Sequence, residues 1–297
     1  MSLTADEVER PNPQRRGVKK GLYLLPSAFT AGNIGMGFLS VMESLRGFQI
    51  LGRGTPDLVL ASEHFDRAAI AIGFALLFDT IDGRLARLTK TTTEIGVQLD
   101  SIADVVTFGV APAVLAYVWG YGSTLVEGTD LHRFAFFLSF LYLICGAFRL
   151  ARFNVQASRP RVLAEGTAKV DKKSFVGLPI PAAACLIAAI VHFSPTPLKF
   201  APHRAEVLAI VMMVLVAFLG LLMVSTLRFT SFKSVGAGRR SARMLIGIIG
   251  LVCMIYLYSQ WVLLILVVGY IVHGLLWRGL ASLGRRPPDK PAEMRGA

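Results

Sequence analysis

Long apolar runs dominate the chain, and short polar stretches separate them. A hydrocarbon core about 30 Å thick requires about 20 apolar residues in each helix that crosses it. Eight runs approach that length. They cover residues 21–45, 66–88, 100–121, 133–153, 175–194, 205–226, 243–258 and 260–279. The pattern predicts an all-α integral membrane protein with about eight transmembrane helices.

Both ends of the chain are polar and contain prolines. Residues 1–20 lack the apolar stretch of a signal peptide, so we expect a disordered cytoplasmic N-terminal arm. Residues 282–297 are expected to form a basic cytoplasmic tail, and residues 21–281 form one transmembrane domain between these ends. We expect a helical hairpin at 243–279, broken at the sequence YSQW (258–261), although one long tilted helix fits the same pattern.

The net charge of +12 bears on whether the protein binds nucleic acid or anionic lipid. A basic protein could bind nucleic acid, but 25 of the 31 lysines and arginines fall on one side of the membrane when the eight spans alternate. The positive-inside rule makes that side the cytoplasm and places both termini there. The composition therefore predicts an inner (cytoplasmic) membrane protein that attracts anionic membrane lipids and has no nucleic-acid partner.

Four aspartates stand between two of the apolar runs. Asp79 and Asp82 are three residues apart, and Asp100 and Asp104 are four apart, so each pair shares a helix face. The short polar turn between the pairs reverses the chain and sets both faces beside one cleft. A carboxylate that faces lipid costs a few kcal/mol, so we expect all four to face a polar cavity. Because hard divalent cations prefer oxygen ligands, the cluster predicts a metal site.

Gly83 and Arg87 extend this interpretation toward an anionic substrate. Glycine inside a helix costs about 1 kcal/mol relative to alanine, which indicates that a ligand approaches the backbone at Gly83. Arg87 lies one turn further on and can meet an anion. Metal ligands, an open approach and a guanidinium together suit a substrate that carries phosphate.

The spacing of these residues resembles the signature of the CDP-alcohol phosphatidyltransferases. The matching positions are Asp79-x-x-Asp82-Gly83-x-x-Ala86-Arg87, eight further residues, then Gly96-x-x-x-Asp100-x-x-x-Asp104. The resemblance implies a six-helix transmembrane core, here residues 21–233, in a homodimer whose site opens to the cytoplasm. It also implies that the four aspartates hold one or two Mg²⁺ or Mn²⁺ ions and that Asp104 is the general base.

The same resemblance implies the residues that bind the CDP-linked lipid. They are Thr30, Asn33, Gly83, Ala86, Arg87 and Gly96, with Gly83 and Ala86 making room for the cytidine nucleotide and Arg87 near the pyrophosphate. Thr30 and Asn33 belong to an element, residues 26–33, in which Ser27 replaces the family's usual asparagine.

Three stretches after the motif resemble the phosphatidylserine synthases of this family. They read RLARFN (149–154), FVGLPIP (175–181) and VSTLRFTSFK (224–233). Helix-start prolines leave free N–H groups, so an amino-acid carboxylate could bind at Gly177 and Pro179. Arg149 or Arg152 could clamp that carboxylate or the lipid phosphate, although both could instead extend to lipid headgroups.

The expected reaction transfers a phosphatidyl group from CDP-diacylglycerol to the hydroxyl of L-serine, giving phosphatidylserine and CMP. A sister enzyme that uses glycerol 3-phosphate, an inositol compound or choline is the nearest alternative. A cation transporter, with carboxylates along its path, is an alternative of another class. The five histidines are scattered and do not have the spacing of metal ligands.

Overall fold

The computed structural model describes residues 13–89, 94–158, 174–201, 204–230 and 242–283. Helices account for nearly all of the described chain. The elements in order are α1 (Pro13–Leu51), α2 (Leu58–Thr89), α3 (Glu94–Asp104), a first π-helical segment (Val105–Val110), α4 (Ala111–Leu115), a second π-helical segment (Ala116–Tyr121), α5 (Gly122–Thr124), α6 (Asp130–Ser158), β1 (Ser174–Val176), α7 (Ile180–Phe193), a 3₁₀ turn (Leu198–Phe200), α8 (Ala205–Val224), β2 (Arg228–Thr230) and α9 (Ala242–Leu283).

The prediction of an all-α membrane protein is confirmed. Five segments in the described chain are long and apolar enough to cross a membrane: Ile95–Thr124, Asp130–Val155, Ile180–Phe200, Ala205–Val224 and Cys253–Leu276. The first two predicted spans lie in α1 and α2, which have 39 and 32 residues. The charged side chains of α2 lower its mean hydropathy. The one β-ladder among the described residues, β1 antiparallel to β2, has only three residue pairs.

Helix α1 begins earlier than the sequence pattern suggests. It starts at Pro13, whereas we expected the disordered arm to reach residue 20. Proline fits the first turn of a helix, where its missing N–H has no partner to lose, so helix can extend from Pro13 into the apolar run. The remainder of the predicted arm, residues 1–12, and most of the predicted tail lie outside the described chain.

Small buried side chains let α1 and α2 pack closely as an antiparallel pair. Ala61, Ala68 and Ala75 recur every seven residues and are buried along one face of α2. Gly47 of α1 meets Phe65, and a Cβ at Gly47 would lie 2.9 Å from that ring. This packing fixes the register that brings Asp82 beside the first helix at the other end of the pair.

Polar bridges join the helices near the start of α2. Asp66 Oδ1 lies 2.5 Å from His192 Nδ1, and His192 Nε2 lies 2.9 Å from Ser259 Oγ. Glu43 Oε2 of α1 lies 2.6 Å from His64 Nδ1 of α2. His192 therefore connects α2, α7 and α9, a structural role that its isolated place in the sequence does not reveal.

Helix α9 contains both of the last two predicted spans in one helical element. Its backbone leaves helical geometry at Tyr258 (φ −136°, ψ 45°), inside the YSQW sequence where we expected an interruption. Ser259, directly after the break, contacts His192 at the last turn of α7. The described chain therefore has seven long helical segments, and the break at Tyr258 divides the last.

Candidate active site

Three carboxylates from two helices meet at one point. One oxygen each from Asp79 of α2 and from Asp100 and Asp104 of α3 lie within 4.8 Å of one another. All three residues are partly buried. The reversal of the chain after α2 therefore gathers residues that are up to 25 positions apart, as the paired helical spacing predicts.

Asp82 stands beside this group with a partner of its own. It is 6% exposed, and its Oδ2 accepts a hydrogen bond from Thr30 Oγ1 of α1. It also lies within electrostatic range of the other three aspartates. The structure thus places all four predicted ligands together, with three in direct proximity and Asp82 oriented by α1.

The donor set fits a divalent cation. Three carboxylates that lie this close repel one another unless positive charge is placed between them. Asp104 Oδ1 is buried, and no hydrogen-bond partner for it occurs in the described part of the chain. An all-oxygen set of this kind suits Mg²⁺ or Mn²⁺ better than softer metals.

Two residues of α1 line the same region. Thr30 and Asn33 are 4% and 1% exposed, and they lie one turn apart. Both side-chain amide atoms of Asn33 are buried and have no partner within the described residues. Burying an unpaired amide costs free energy, so this arrangement favours a polar ligand at Asn33.

The remaining predicted lipid-binding residues follow the aspartates closely. Gly83, Ala86 and Arg87 lie in the last turns of α2, and Gly96 lies in the first turn of α3. The side chains of Ala86 and Arg87 are outside the described part of the chain. Their predicted contacts with the nucleotide and pyrophosphate stay predictions.

Arg149 of α6 lies near one of the carboxylates. It interacts electrostatically with Asp104, and its Nε is buried without a hydrogen-bond partner in the described chain. Arg149 and Arg152 line an open cavity of about 240 Å³ together with Phe148 and Val224. Arg152 Nη1 donates to the Val224 carbonyl over 3.3 Å. Arg149 therefore lies beside a carboxylate of the cluster, Asp104.

The amide of Gly177 is not free to bind a ligand, contrary to our expectation. The Gly177 N–H donates to the Leu227 carbonyl over 2.5 Å, and the Leu178 N–H donates to the Leu222 carbonyl over 3.1 Å. Gly177 adopts φ 85°, and a Cβ there would collide with the Met223 carbonyl. These residues join the start of α7 to the end of α8, which explains why glycine is needed.

A bond between α3 and α6 beside the site was not predicted. Asn154 Nδ2 donates to Ser101 Oγ over 2.8 Å, and Ser101 adjoins Asp100. Asn154 occurs in the RLARFN stretch, but nothing in the sequence pairs it with Ser101. The bond ties the helix that carries the arginines to the helix that carries two of the carboxylates.

Comparison with known families agrees with this arrangement. The family model described as CDP-alcohol phosphatidyltransferase matches residues 23–219. The chain belongs to the CDP-alcohol phosphatidyltransferase family. The matched region runs from α1 into α8 and contains all four aspartates and Arg149, while α9 lies beyond it. Its six long helical segments correspond to the core implied by the motif.

Several relatives carry the same name, CDP-diacylglycerol–serine O-phosphatidyltransferase. The Helicobacter pylori protein is 36% identical over 214 residues, which is 72% of this chain and 75% of the relative. The Saccharomyces cerevisiae protein is 35% identical over 156 residues, covering 52% of this chain and 49% of the relative. The Methanocaldococcus jannaschii protein is 32% identical over 163 residues, covering 55% and 63%.

Proposed function

We propose that this phosphatidyltransferase transfers a phosphatidyl group from CDP-diacylglycerol to L-serine, releasing CMP and phosphatidylserine. The observation that supports it most is the meeting of Asp79, Asp100 and Asp104 within 4.8 Å, with Arg149 beside Asp104. The names of the relatives support serine as the acceptor.

The carboxylates would bind the diphosphate of the donor through a divalent cation. Asp79, Asp100 and Asp104, with Asp82 beside them, would hold one or two Mg²⁺ or Mn²⁺ ions. When bound, such ions neutralise phosphate oxygens and stabilise charge on the entering and leaving oxygens. The Thr30 hydroxyl, which bonds to Asp82, and the buried Asn33 amide one turn further along α1 would contact the nucleotide.

Asp104 would act as the general base. Its unpartnered Oδ1 can accept the proton of the serine hydroxyl as that oxygen attacks the lipid-bearing phosphorus. A serine Oγ–P bond forms, the P–O bond to CMP breaks, and CMP leaves with the electron pair. The proton of the serine hydroxyl moves to Asp104, and the phosphate of the departing CMP carries the negative charge.

Arg149 would bind the carboxylate of the acceptor. Arg149 lines the cavity at the end of α6 and interacts electrostatically with Asp104, so a serine bound to it by its carboxylate would have its hydroxyl near the base. A guanidinium can grip a carboxylate through two parallel hydrogen bonds, which orients as well as binds it. Because the amides of Gly177 and Leu178 are already bonded, we assign the carboxylate to Arg149 and not to these two amides.

The proposal includes the placement of the protein in its membrane. The distribution of lysine and arginine supports a site and termini that face the cytoplasm. The family resemblance supports a homodimer. The break at Tyr258 and the contact of Ser259 with the end of α7 support a hairpin in α9 whose second arm returns along α7.

The test is an acceptor screen. Membranes that contain the protein are supplied with CDP-diacylglycerol, Mn²⁺ and one of serine, glycerol 3-phosphate, inositol or choline, and CMP release is measured. We expect release with serine alone among the four. Release driven by another alcohol would reassign the acceptor, and Asp-dependent ion flux in liposomes without CMP release would indicate a transporter.

A further inference from the structure

The segment directly after Asp104 has an uncommon backbone. Residues Val105–Val110 form a π-helix that begins at the residue after the proposed base. Short π-helical insertions are rare and occur often at functional sites, because the wider turn rotates the residues on either side of it. The position of α3, with Asp100 and Asp104, relative to the helices that follow therefore depends on how this segment is held.

Two buried hydroxyl groups hold it, one from α6 and one from the segment itself. Tyr142 of α6 is fully buried, and its hydroxyl donates to the Phe108 carbonyl over 3.0 Å. Thr107 Oγ1 donates to the Asn33 carbonyl of α1 over 3.1 Å. Gly37 makes this approach possible, since a Cβ there would lie 2.9 Å from Thr107 Cα.

Tyr142 and Arg149 lie on one face of α6. They are seven residues apart, which is two helical turns or about 10 Å along the axis. Tyr142 contacts Phe108, and Arg149 interacts with Asp104, four residues before Phe108. The Tyr142 bond thus fixes the position of α6 along the segment that carries the base.

We propose that Tyr142 is a positioning residue for the pair of Asp104 and Arg149. Its hydrogen bond to the Phe108 carbonyl holds the π-helical segment in the register that sets α3, and with it Asp104, against Asp79 of α2 and opposite Arg149. The expected effect of Tyr142 on turnover rests on the proposed function. Its expected effect on the arrangement of the carboxylate cluster does not.

The test compares Tyr142→Phe with a matched control, Tyr121→Phe. Tyr121 is also fully buried and shares a 2.6 Å hydrogen bond with Ser139 Oγ of the same helix α6, away from the aspartates. Both variants lose one buried hydroxyl and keep the ring, so both should lower the melting temperature in detergent by similar amounts. We expect only Tyr142→Phe to lower kcat/KM for serine, by about tenfold, and to shrink the rise in melting temperature caused by Mn²⁺.

Equal behaviour of the two variants in both measurements would overturn the inference. Thr107→Val removes the second hydroxyl that holds the segment, and it should shift both measurements in the same direction. It replaces Tyr142→Phe if that variant does not fold. If the unchanged protein releases no CMP with serine, the proposed function fails, while the response of the melting temperature to Mn²⁺ still decides whether Tyr142 positions the cluster.

Discussion

The two ends of the helical bundle differ in how their charged side chains are arranged. Near the start of α2, Asp66 is paired with His192, which also reaches Ser259, and Glu43 is bonded to both His64 and Arg46. Near the end of α2, three carboxylates converge on one another, and Arg149 interacts electrostatically with one of them, Asp104.

Unsatisfied buried atoms show the same difference. Among the described residues, five buried side-chain atoms have no partner, and four of them, Asp104 Oδ1, Arg149 Nε and both amide atoms of Asn33, belong to the carboxylate end. The fifth is Ser40 Oγ, further along α1. Buried polar atoms are paired in most proteins, because leaving one unpaired costs about 1–3 kcal/mol. The charged groups near the start of α2 are paired within the chain and stabilise the fold. The polar groups near the end of α2 keep buried atoms that can bind a ligand.

The largest predicted effect concerns the carboxylate end. Asp104→Asn should lower the rate of CMP release by about 10²–10⁴-fold, because an amide cannot accept the proton of the hydroxyl. The variant should insert into membranes normally and melt no earlier than the unchanged protein, since one repelling charge is removed. A variant with full turnover would show that Asp104 is not the base.

Removal of divalent ions should have an effect of similar size, but a reversible one. Excess chelator should stop CMP release, and Mn²⁺ or Mg²⁺ added beyond the chelator should restore it, because the carboxylates need a cation to bind the diphosphate. Turnover that continues in chelator would remove the metal from the proposed mechanism. We expect the chelator to leave the helical content of the protein unchanged, because the paired charges at the other end of the bundle do not need a metal ion.

Arg149→Lys should have a smaller and more selective effect. It keeps the positive charge but loses the two-point grip on a carboxylate, so KM for serine should rise about tenfold to a hundredfold while KM for CDP-diacylglycerol changes little. Arg46→Lys is the matched control, since Arg46 pairs with Glu43 at the opposite end. A rise in KM for both substrates alike would place Arg149 on the lipid phosphate instead.

The smallest effect on activity is predicted at the paired end. His192→Ala breaks the contacts to Asp66 and Ser259, so the free energy of unfolding should fall by about 1–3 kcal/mol. Measured at a temperature where the variant is folded, kcat should match that of the unchanged protein. A large loss of kcat without loss of stability would contradict the division between the two ends.

Much of the carboxylate end could be predicted because its information is local in the sequence. The spacing of Asp79, Asp82, Asp100 and Asp104 along two helices joined by a short turn dictates that they meet. The paired end depends on contacts between residues far apart, such as Asp66 with His192, 126 positions later. Helical periodicity does not contain that pairing.

The features that the sequence analysis predicted wrongly or missed also depend on contacts between residues far apart in the chain. The predicted free amides at Gly177 follow from the local rule for a helix start, but the end of α8 supplies carbonyl partners that only the tertiary structure reveals. The π-helical segment after Asp104 is likewise absent from the apolar pattern, since it is stabilised by hydroxyl groups of Thr107 and Tyr142.

The most direct test is the binding of Mn²⁺ to the purified protein, followed by electron paramagnetic resonance. We expect one or two Mn²⁺ ions per chain, and we expect that binding to disappear when Asp79, Asp100 and Asp104 are all changed to Asn. The matched control, Asp66→Asn at the paired end, should bind as the unchanged protein does. Unaltered Mn²⁺ binding in the triple variant would contradict the claim that these three carboxylates form the metal site.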